Sequence, residues 1–514
     1  MKESIPPILR PEQVRPVALT DLAAHFGLSG TGIGAVELTG ISMNTNDLRQ
    51  GDLFVAMPGL KTHGARFAEK AVSAGAAAII TDAEGLALLP RFEPQIPTLV
   101  LENPRAHLGD LAAFVYGNRA GNLPKLFATT GTNGKTSTSY LLEAILRQLG
   151  ETTGLTSTAE RHIAGTKIVS RLTTPESTEM QALLALMRER KCTAVAIEVS
   201  AQALSQLRVD GIHFDVVGFT NLSHDHFDDY PDFATYLRAK AELFTPRRAT
   251  RGVVSLDSEF GKAFLELAHI PCVTISSDAQ KPGDWNVRVT NRTKQSFSFE
   301  LTGPAGQQLY SSVPLIGDHM AANAALALVM LIEAGYDWQQ LASAIHLGIE
   351  AYLPGRTELI SGPIGPAVFV DFGHSPDAFL HTLQSLRQVT EGRVIMVFGA
   401  DGDRDASKRP AMAQIAMANS DLLVITDHHP RFEDPASIRR TLLEAALEQA
   451  QGKPVYEVSP PEQAIRRAVS LAEPGDSILW AGPGHQDYRD IQGKRTVYSA
   501  RNEARAALRE NGWP

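Results

Sequence analysis

"LFATTGTNGKTSTSY", residues 126–140, decides the architecture. An apolar run closes on Gly131-Thr132-Asn133-Gly134-Lys135-Thr136-Ser137, and a helical pattern begins at once. Glycines at such a junction let backbone N–H groups wrap a phosphate. The helix N-terminus adds positive potential, and the lysine reaches the terminal phosphates. The Thr136 hydroxyl is placed to hold Mg²⁺. Counted from Gly131, the loop is two residues shorter than strict GxxxxGK[ST]. Strand and helix nevertheless sit where the mechanism needs them, so the segment reads as a nucleotide site.

Downstream the same strand–loop–helix pattern repeats: TAVAIEVS before AQALSQLR, DVVGFTNLS before a helix near Ala234–Leu243, then GVVSLDS. Strands apolar throughout, each followed by a helix, imply a parallel sheet covered on both faces. Upstream, DLFVAM, AAAIIT and PTLVL alternate with helical stretches, and "GNRAGNLPK", residues 117–125, is rich in turn residues. A second break falls at "EAYLPGRTE", residues 350–358, before AVFVDF, RVIMVFGA, DLLVIT and SILWAG. The expectation is three α/β domains, over 1–122, 123–350 and 351–514.

A chain of 514 residues exceeds a single core, which agrees with that division. A net charge of −9 argues against a general nucleic-acid binder but leaves room for a local anion pocket. Cys192 and Cys272 are isolated thiols, so the chain is no disulfide scaffold and a reducing cytoplasm is expected. No signal-like segment opens it and no apolar run is long enough to span a bilayer.

Polar residues gather where the apolar runs end. Glu198 closes AVAIEVS, the usual place for a Mg²⁺ ligand beside a phosphate loop. "NLSHDHFDDY", residues 221–230, is too polar for a core. Lys240, read from its neighbours alone, is a surface lysine on a short helix. In the last third, Asp371 and His374, the charged turn 399–410, and His485-Gln486 all follow apolar runs, describing one crevice at a sheet's carboxyl edge. His428-His429-Pro430-Arg431 belongs to that set. Adjacent residues on an extended strand face opposite ways, so the two histidines are expected to chelate one ion poorly. The stretch also reads as a loop leading into a helix capped at Asp434-Pro435.

Taken in order, "GDLFVAMPGLKTHGARFAEKAVSAGA", "TTGTNGKTST", "LTTPES", "EVSAQAL", "NLSHDHFDDY", "YLRAKAELF", "LPGRTE", "VDFGHSPDA", "GADGDRDASKRP", "HHPRFEDP" and "GPGHQDY" resemble the Mur ligase superfamily, most closely its MurE group. The resemblance implies a uridine-nucleotide domain, a central ATP domain and an amino-acid domain. It also implies a cytoplasmic ligase, a monomer, joining a free diamino acid to UDP-MurNAc-L-Ala-D-Glu with ATP and Mg²⁺. Carried over residue by residue, it places Gly131 to Ser137, Asn323, Arg356, Asp371 and His374 around ATP. Thr136, Glu198, His226 and Lys240, the last as a carbamate, match metal ligands, and Lys135 joins the last three in catalysis. Asn44, Thr45, Thr173, Thr174, Ser200 and Arg208 match contacts to the muramoyl dipeptide. Asp403, Arg404, His428, His429, Pro430, Arg431, Gly482, His485 and Gln486 match the amino-acid pocket.

The departures bear on substrate. Diaminopimelate-adding members carry D-N-P-R where this chain has His428 to Arg431, and G-x-G-H-E where it has Gly482 to Gln486. Arg431 survives to fork a carboxylate, while the anionic partner for a distal ammonium is gone. L-lysine or L-ornithine becomes the expected amino acid, with meso-diaminopimelate the alternative. "EVSAQAL" and "MNTNDL" also depart from the family's usual Ser-His and Ser-Arg. A folylpolyglutamate-like ligase is disfavoured by the N-terminal motifs. A non-catalytic relative is disfavoured by the intact phosphate-loop, Glu198, His226 and Lys240 set. A GTPase switch lacks its N-K-x-D motif.

Overall fold

The computed structural model describes residues 8–59, 61–223 and 229–513. Its centre is an eleven-stranded sheet in which Lys125–Thr130 lies between Ala194–Glu198 and Phe214–Phe219. Those pairings are parallel, and parallel order continues outward to Thr153–Thr156 on one side and Trp285–Arg292 on the other. All three inner strands are almost wholly buried, as apolar runs under helices on both faces require. Helix Asp318–Glu333 covers one face, with Leu326 to Leu331 buried. Helix Ser177–Glu189 covers the other.

The expected parallel core is therefore present, but the sheet is longer than the β–loop–α pattern implied. Glu160–Ile163 and Thr166–Val169 extend one edge antiparallel, and Phe297–Thr302 and Gln308–Val313 extend the other. In Gln308–Val313 exposed Gln308 and Tyr310 alternate with buried Leu309, Ser311 and Val313, a one-sided strand rather than a sandwiched one. A smaller sheet over residues 29–100 precedes the central one. A six-stranded sheet over residues 358–481 follows, parallel except where Glu358–Leu359 pairs with Ala367–Asp371. The class is α/β.

The strand order places function. After Lys125–Thr130 the chain runs to one side of that strand, and after Ala194–Glu198 it crosses to the other. Residues 131–136 thus sit at a topological switch point, where an open sheet leaves a crevice outside its carboxyl edge. Helix Lys135–Gln148 starts there from Gly134 at φ 86°. A Cβ on Gly134 would lie 2.7 Å from Asn323 Oδ1, so both conformation and space demand glycine.

The N-terminal part is fastened to the centre through helix Pro104–Tyr116. Gly109 in that helix abuts the carbonyl of Asp210 with no room for a side chain. Asn118 donates to the Gln181 carbonyl at 2.8 Å, and Arg188 donates to the Gly117 and Tyr116 carbonyls at 2.8 and 2.9 Å. A Gly109→Ala substitution is expected to cost about 1–3 kcal/mol by overpacking this contact, measured as a lowered urea midpoint.

At the far edge, His162 is held between two carboxylates, Nδ1 to Glu143 at 2.8 Å and Nε2 to Glu160 at 3.1 Å, and Tyr140 donates to Glu160 at 3.0 Å. Burial opposes the imidazolium, but the hydrogen bonds it donates to both carboxylates outweigh that opposition and raise the His162 pKa. A raised folded pKa contributes stability that is full below the unfolded value near 6.5 and is lost as pH climbs through the folded value. Thermal unfolding between about pH 6 and about pH 9 should therefore show a smaller alkaline loss in His162→Gln than in the parent.

Candidate active site

Three neighbouring strand ends build the central crevice. Thr132 N donates to the Asn221 carbonyl at 2.9 Å, and Asn133 N donates to Asn221 Oδ1 at 2.9 Å. The Asn133 carbonyl accepts from Thr220 Oγ1 at 2.6 Å. The loop after Phe214–Phe219 thereby shapes the loop after Lys125–Thr130. Lys135 folds back so that Nζ donates to the Gly131 and Thr132 carbonyls at 3.1 and 2.9 Å. Ser137 is buried in the first turn that follows.

Lys240 also donates to the Gly131 carbonyl, at 2.7 Å, with its ammonium 4.1 Å from the Tyr236 ring centre. It is only 1% exposed, which corrects its reading as a surface lysine. Helix Phe233–Ala241 turns Tyr236, Leu237 and Lys240 to one buried face, three and four residues apart. A cation–π contact and a carbonyl acceptor support the ammonium there.

Glu198, 1% exposed, is the polar hub. It accepts from Thr136 Oγ1 at 2.9 Å, Thr158 N at 2.8 Å and Thr158 Oγ1 at 3.0 Å. Thr158 and Thr173 hydroxyls lie 3.0 Å apart, and Thr174 Oγ1 donates to the Glu198 carbonyl at 2.9 Å. Ser200 N donates to Thr174 Oγ1 at 3.1 Å, and its own hydroxyl caps Ala201–Ser205. Arg208 pairs with Glu176 at 2.9 Å on the rim. Asn44 and Thr45 stand on a separate loop, connected to this region through Asp47, which pairs with Arg171 at 3.2 Å. His226 lies outside the described residues.

The C-terminal part reaches the same crevice. Arg356 NH2 donates to Thr136 Oγ1 at 2.9 Å, with its guanidinium over the Phe372 ring. Asn133 Nδ2 donates to Asp377 Oδ2 at 3.1 Å. Asp371 accepts from Thr357 N and Gly373 N at 2.8 and 2.6 Å, so its carboxylate fixes the turn that carries His374.

Beyond that turn, the loops after Val394–Phe398, Leu422–Ile425 and Ser477–Ala481 form the second crevice. Gly402 N donates to the His429 carbonyl at 2.8 Å, and Arg431 N donates to the Asp490 carbonyl at 3.1 Å. Arg431 takes φ 51°, turning the chain so that it pairs with Ile491 of the hairpin. Asp403 Oδ2 accepts from Phe432 N at 3.0 Å, Arg404 is exposed, and Asp434 caps helix Pro435–Glu448. Pro430 and Gly482 are buried, and a Cβ on Gly482 would lie 3.7 Å from the His428 ring. His485 packs on Phe372, and burial pushes its pKa down to about 3.

The histidine pair corrects the expectation that its members point apart. The strand ends at Ile425, so strand alternation no longer applies at 428–429. The two rings lie 4.1 Å apart, and Asp401, His428 and His429 each offer a ligand-type atom within 4.8 Å of the others. His429 is nonetheless committed elsewhere. Its Nδ1 accepts from Asp490 N at 2.9 Å, which puts the proton on Nε2, and Nε2 donates to Gln486 Oε1 at 2.7 Å. Burial lowers the His429 pKa and pushes that of His428 down to about 3, so both rings are neutral near pH 7.

Thr158 and Tyr236 escape the sequence reading, and Asn221 and Asp401 enter it only as members of the polar segments 221–230 and 399–410. Each is one polar residue in a turn, arm or helix, and only the folded chain shows what it faces.

Family comparisons divide the chain in the same order. The Mur ligase family catalytic domain matches residues 37–116, the Mur ligase middle domain residues 129–331, and the Mur ligase glutamate ligase domain residues 355–484. A UDP-N-acetylmuramyl-tripeptide synthetase of Leifsonia xyli is 53% identical over 511 residues, 99% of either chain. A UDP-N-acetylmuramoyl-L-alanyl-D-glutamate–2,6-diaminopimelate ligase of Streptomyces coelicolor is 38% identical over 505 residues, 98% of either chain. A solved structure of a ligase of that second name superimposes with a TM-score of 0.67 over 97% of this chain and 100% of its own, at 24% identity, a likeness of fold. With three family domains in order and relatives of this identity along its whole length, the chain belongs to the Mur ligase family of ATP-dependent amide ligases.

Proposed function

We propose that this enzyme joins a free diamino acid, L-lysine or L-ornithine, to the D-glutamate γ-carboxylate of UDP-MurNAc-L-Ala-D-Glu in the cytoplasm, acting as a monomer. The observation that carries the choice of amino acid is the His429–Gln486 hydrogen bond at 2.7 Å. Two of the three positions at which this chain departs from the diaminopimelate pattern, His429 and Gln486, are neutral and satisfy each other. Neither offers a carboxylate to a distal ammonium. Arg431 supplies a fork for a carboxylate.

In this reading Gly131 to Ser137 wrap the ATP phosphates, with Lys135 swinging from its own loop to the terminal phosphate. Asn323, Arg356, Asp371 and His374 border the nucleoside. Asn44 and Thr45 hold the uridine end of the muramoyl substrate, while Thr173, Thr174, Ser200 and Arg208 hold its dipeptide. The γ-carboxylate becomes an acyl phosphate, the amine of the amino acid attacks it, and phosphate departs from the tetrahedral intermediate. The chief burden is to position two anions and neutralise their repulsion. Oxygen ligands from Thr136 and Glu198, 2.9 Å apart and buried, suit a small hard cation. Bound there with His226 and a carbamylated Lys240, Mg²⁺ would offset phosphate charge. Asp403, Arg404, His428, Pro430, Gly482 and His485 frame the amino-acid pocket.

A second reading is favoured by one finding: the Streptomyces coelicolor relative is named a 2,6-diaminopimelate ligase. Phosphate release from ATP, with UDP-MurNAc-L-Ala-D-Glu and one amino acid at a time, separates the two. Turnover with lysine or ornithine and little with meso-diaminopimelate is expected; the reverse preference moves the assignment to diaminopimelate. Lys240→Arg keeps the charge but cannot carry the same carbamate, and is expected to lose about a hundred-fold or more in kcat, the scale of removing one charge-stabilising group. A ¹³C-carbamate resonance should be present in the parent protein under labelled bicarbonate and absent in that variant.

A further inference from the structure

Asp401 poses a problem that the rest of the pocket does not solve. It follows strand Val394–Phe398 in a turn whose Gly402 is pressed against the Pro430 carbonyl. Its Oδ1 is buried without a hydrogen-bond partner. The nearest charged or polar groups stop short: His428 Nε2 is 3.7 Å from Oδ1, and Arg431 NH2 is 4.0 Å from Oδ2. A buried acceptor left unpaired costs stability, so such a group needs an account.

A metal ion gives a poor one. His429 has no lone pair to offer, because Asp490 N and Gln486 occupy its two nitrogens, leaving His428 and Asp401 alone. An ammonium gives a better one. It carries three donors and no acceptor, and charge-assisted bonds of about 2.8 Å let it touch both acceptors of a pair this far apart. Burial works against the Asp401 carboxylate, yet the surrounding histidines and Arg431 hold its pKa below the ordinary range.

We propose that Asp401 is a specificity-determining residue that receives the side-chain ammonium of the incoming amino acid, with His428 Nε2 as second acceptor. The inference rests on the function proposed above and supplies the anionic partner that Gln486 lacks. The substrate class becomes an amino acid with a cationic side chain; uncharged side chains of similar length leave Asp401 Oδ1 unpaired.

The test compares the parent enzyme, Asp401→Asn and Asp401→Glu in phosphate release, with L-lysine, L-ornithine, meso-diaminopimelate and uncharged L-norleucine. Asp401→Asn should raise KM for the basic amino acid about ten-fold or more, the scale of one charged hydrogen bond, with KM for ATP and the muramoyl dipeptide unmoved. Its preference for basic amino acid over norleucine should collapse, and Asp401→Glu should recover part of it. A variant that keeps the parent's preference, or raises every KM alike, overturns the role of Asp401 alone. A parent that uses no basic amino acid overturns the function proposed above and this role with it. If Asp401→Asn does not fold, loss of preference in His428→Phe, which removes the second acceptor, decides the matter.

Discussion

A carboxylate buried to 1% exposure has to be satisfied, and the way Glu198 is satisfied organises the enzyme. Its oxygens draw in Thr136 from the phosphate loop and Thr158 from the antiparallel arm, while its carbonyl draws in Thr174. Arg356 then reaches the same Thr136 hydroxyl from beyond the second linker. Segments far apart in sequence are thus bound to one strand end by hydrogen bonds that a low-dielectric setting strengthens. The parallel sheet supplies the strand end; the polar hub supplies the register of everything placed on it.

Charge is handled differently in the two crevices. The central one brings the cations of Lys135 and Arg356 to the loop beside the Glu198 carboxylate, with unmodified Lys240 donating to the Gly131 carbonyl. That suits a crevice in which phosphates are to be neutralised. In the second, burial lowers the pKa of both histidines, and Asp401 and Arg431 stand within 4.0 Å of each other beside them. In the proposed function, one crevice offsets charge and the other discriminates by it.

The glycine-rich strand–loop–helix junction at 126–148 and the parallel core are readable because their signals are local: glycines and a lysine at fixed spacing, and apolar runs of strand length. The antiparallel extensions carried a signal too, the alternation in residues 308–313, but it was masked by the strong β–loop–α pattern before them. Lys240 could not be read from its neighbours, since Tyr236 and Gly131 meet it only through folding. The histidine pair was misjudged because strand geometry was extended past Ile425, where the strand stops. Asp401 is legible only as one charge among several in the turn 399–410, because local sequence does not show which of them is buried against His428.

The proton on His429 has a consequence for how the pocket can change over evolutionary time. Asp490 N fixes the tautomer, so Nε2–H is aimed at position 486 whatever acceptor stands there. Restoring a glutamate at 486 alone would not return a free carboxylate to the pocket. The Nε2–H of the imidazole would donate to it and hold it as a partner. A free carboxylate at 486 therefore requires position 429 to change as well, which couples the two positions in any change of specificity.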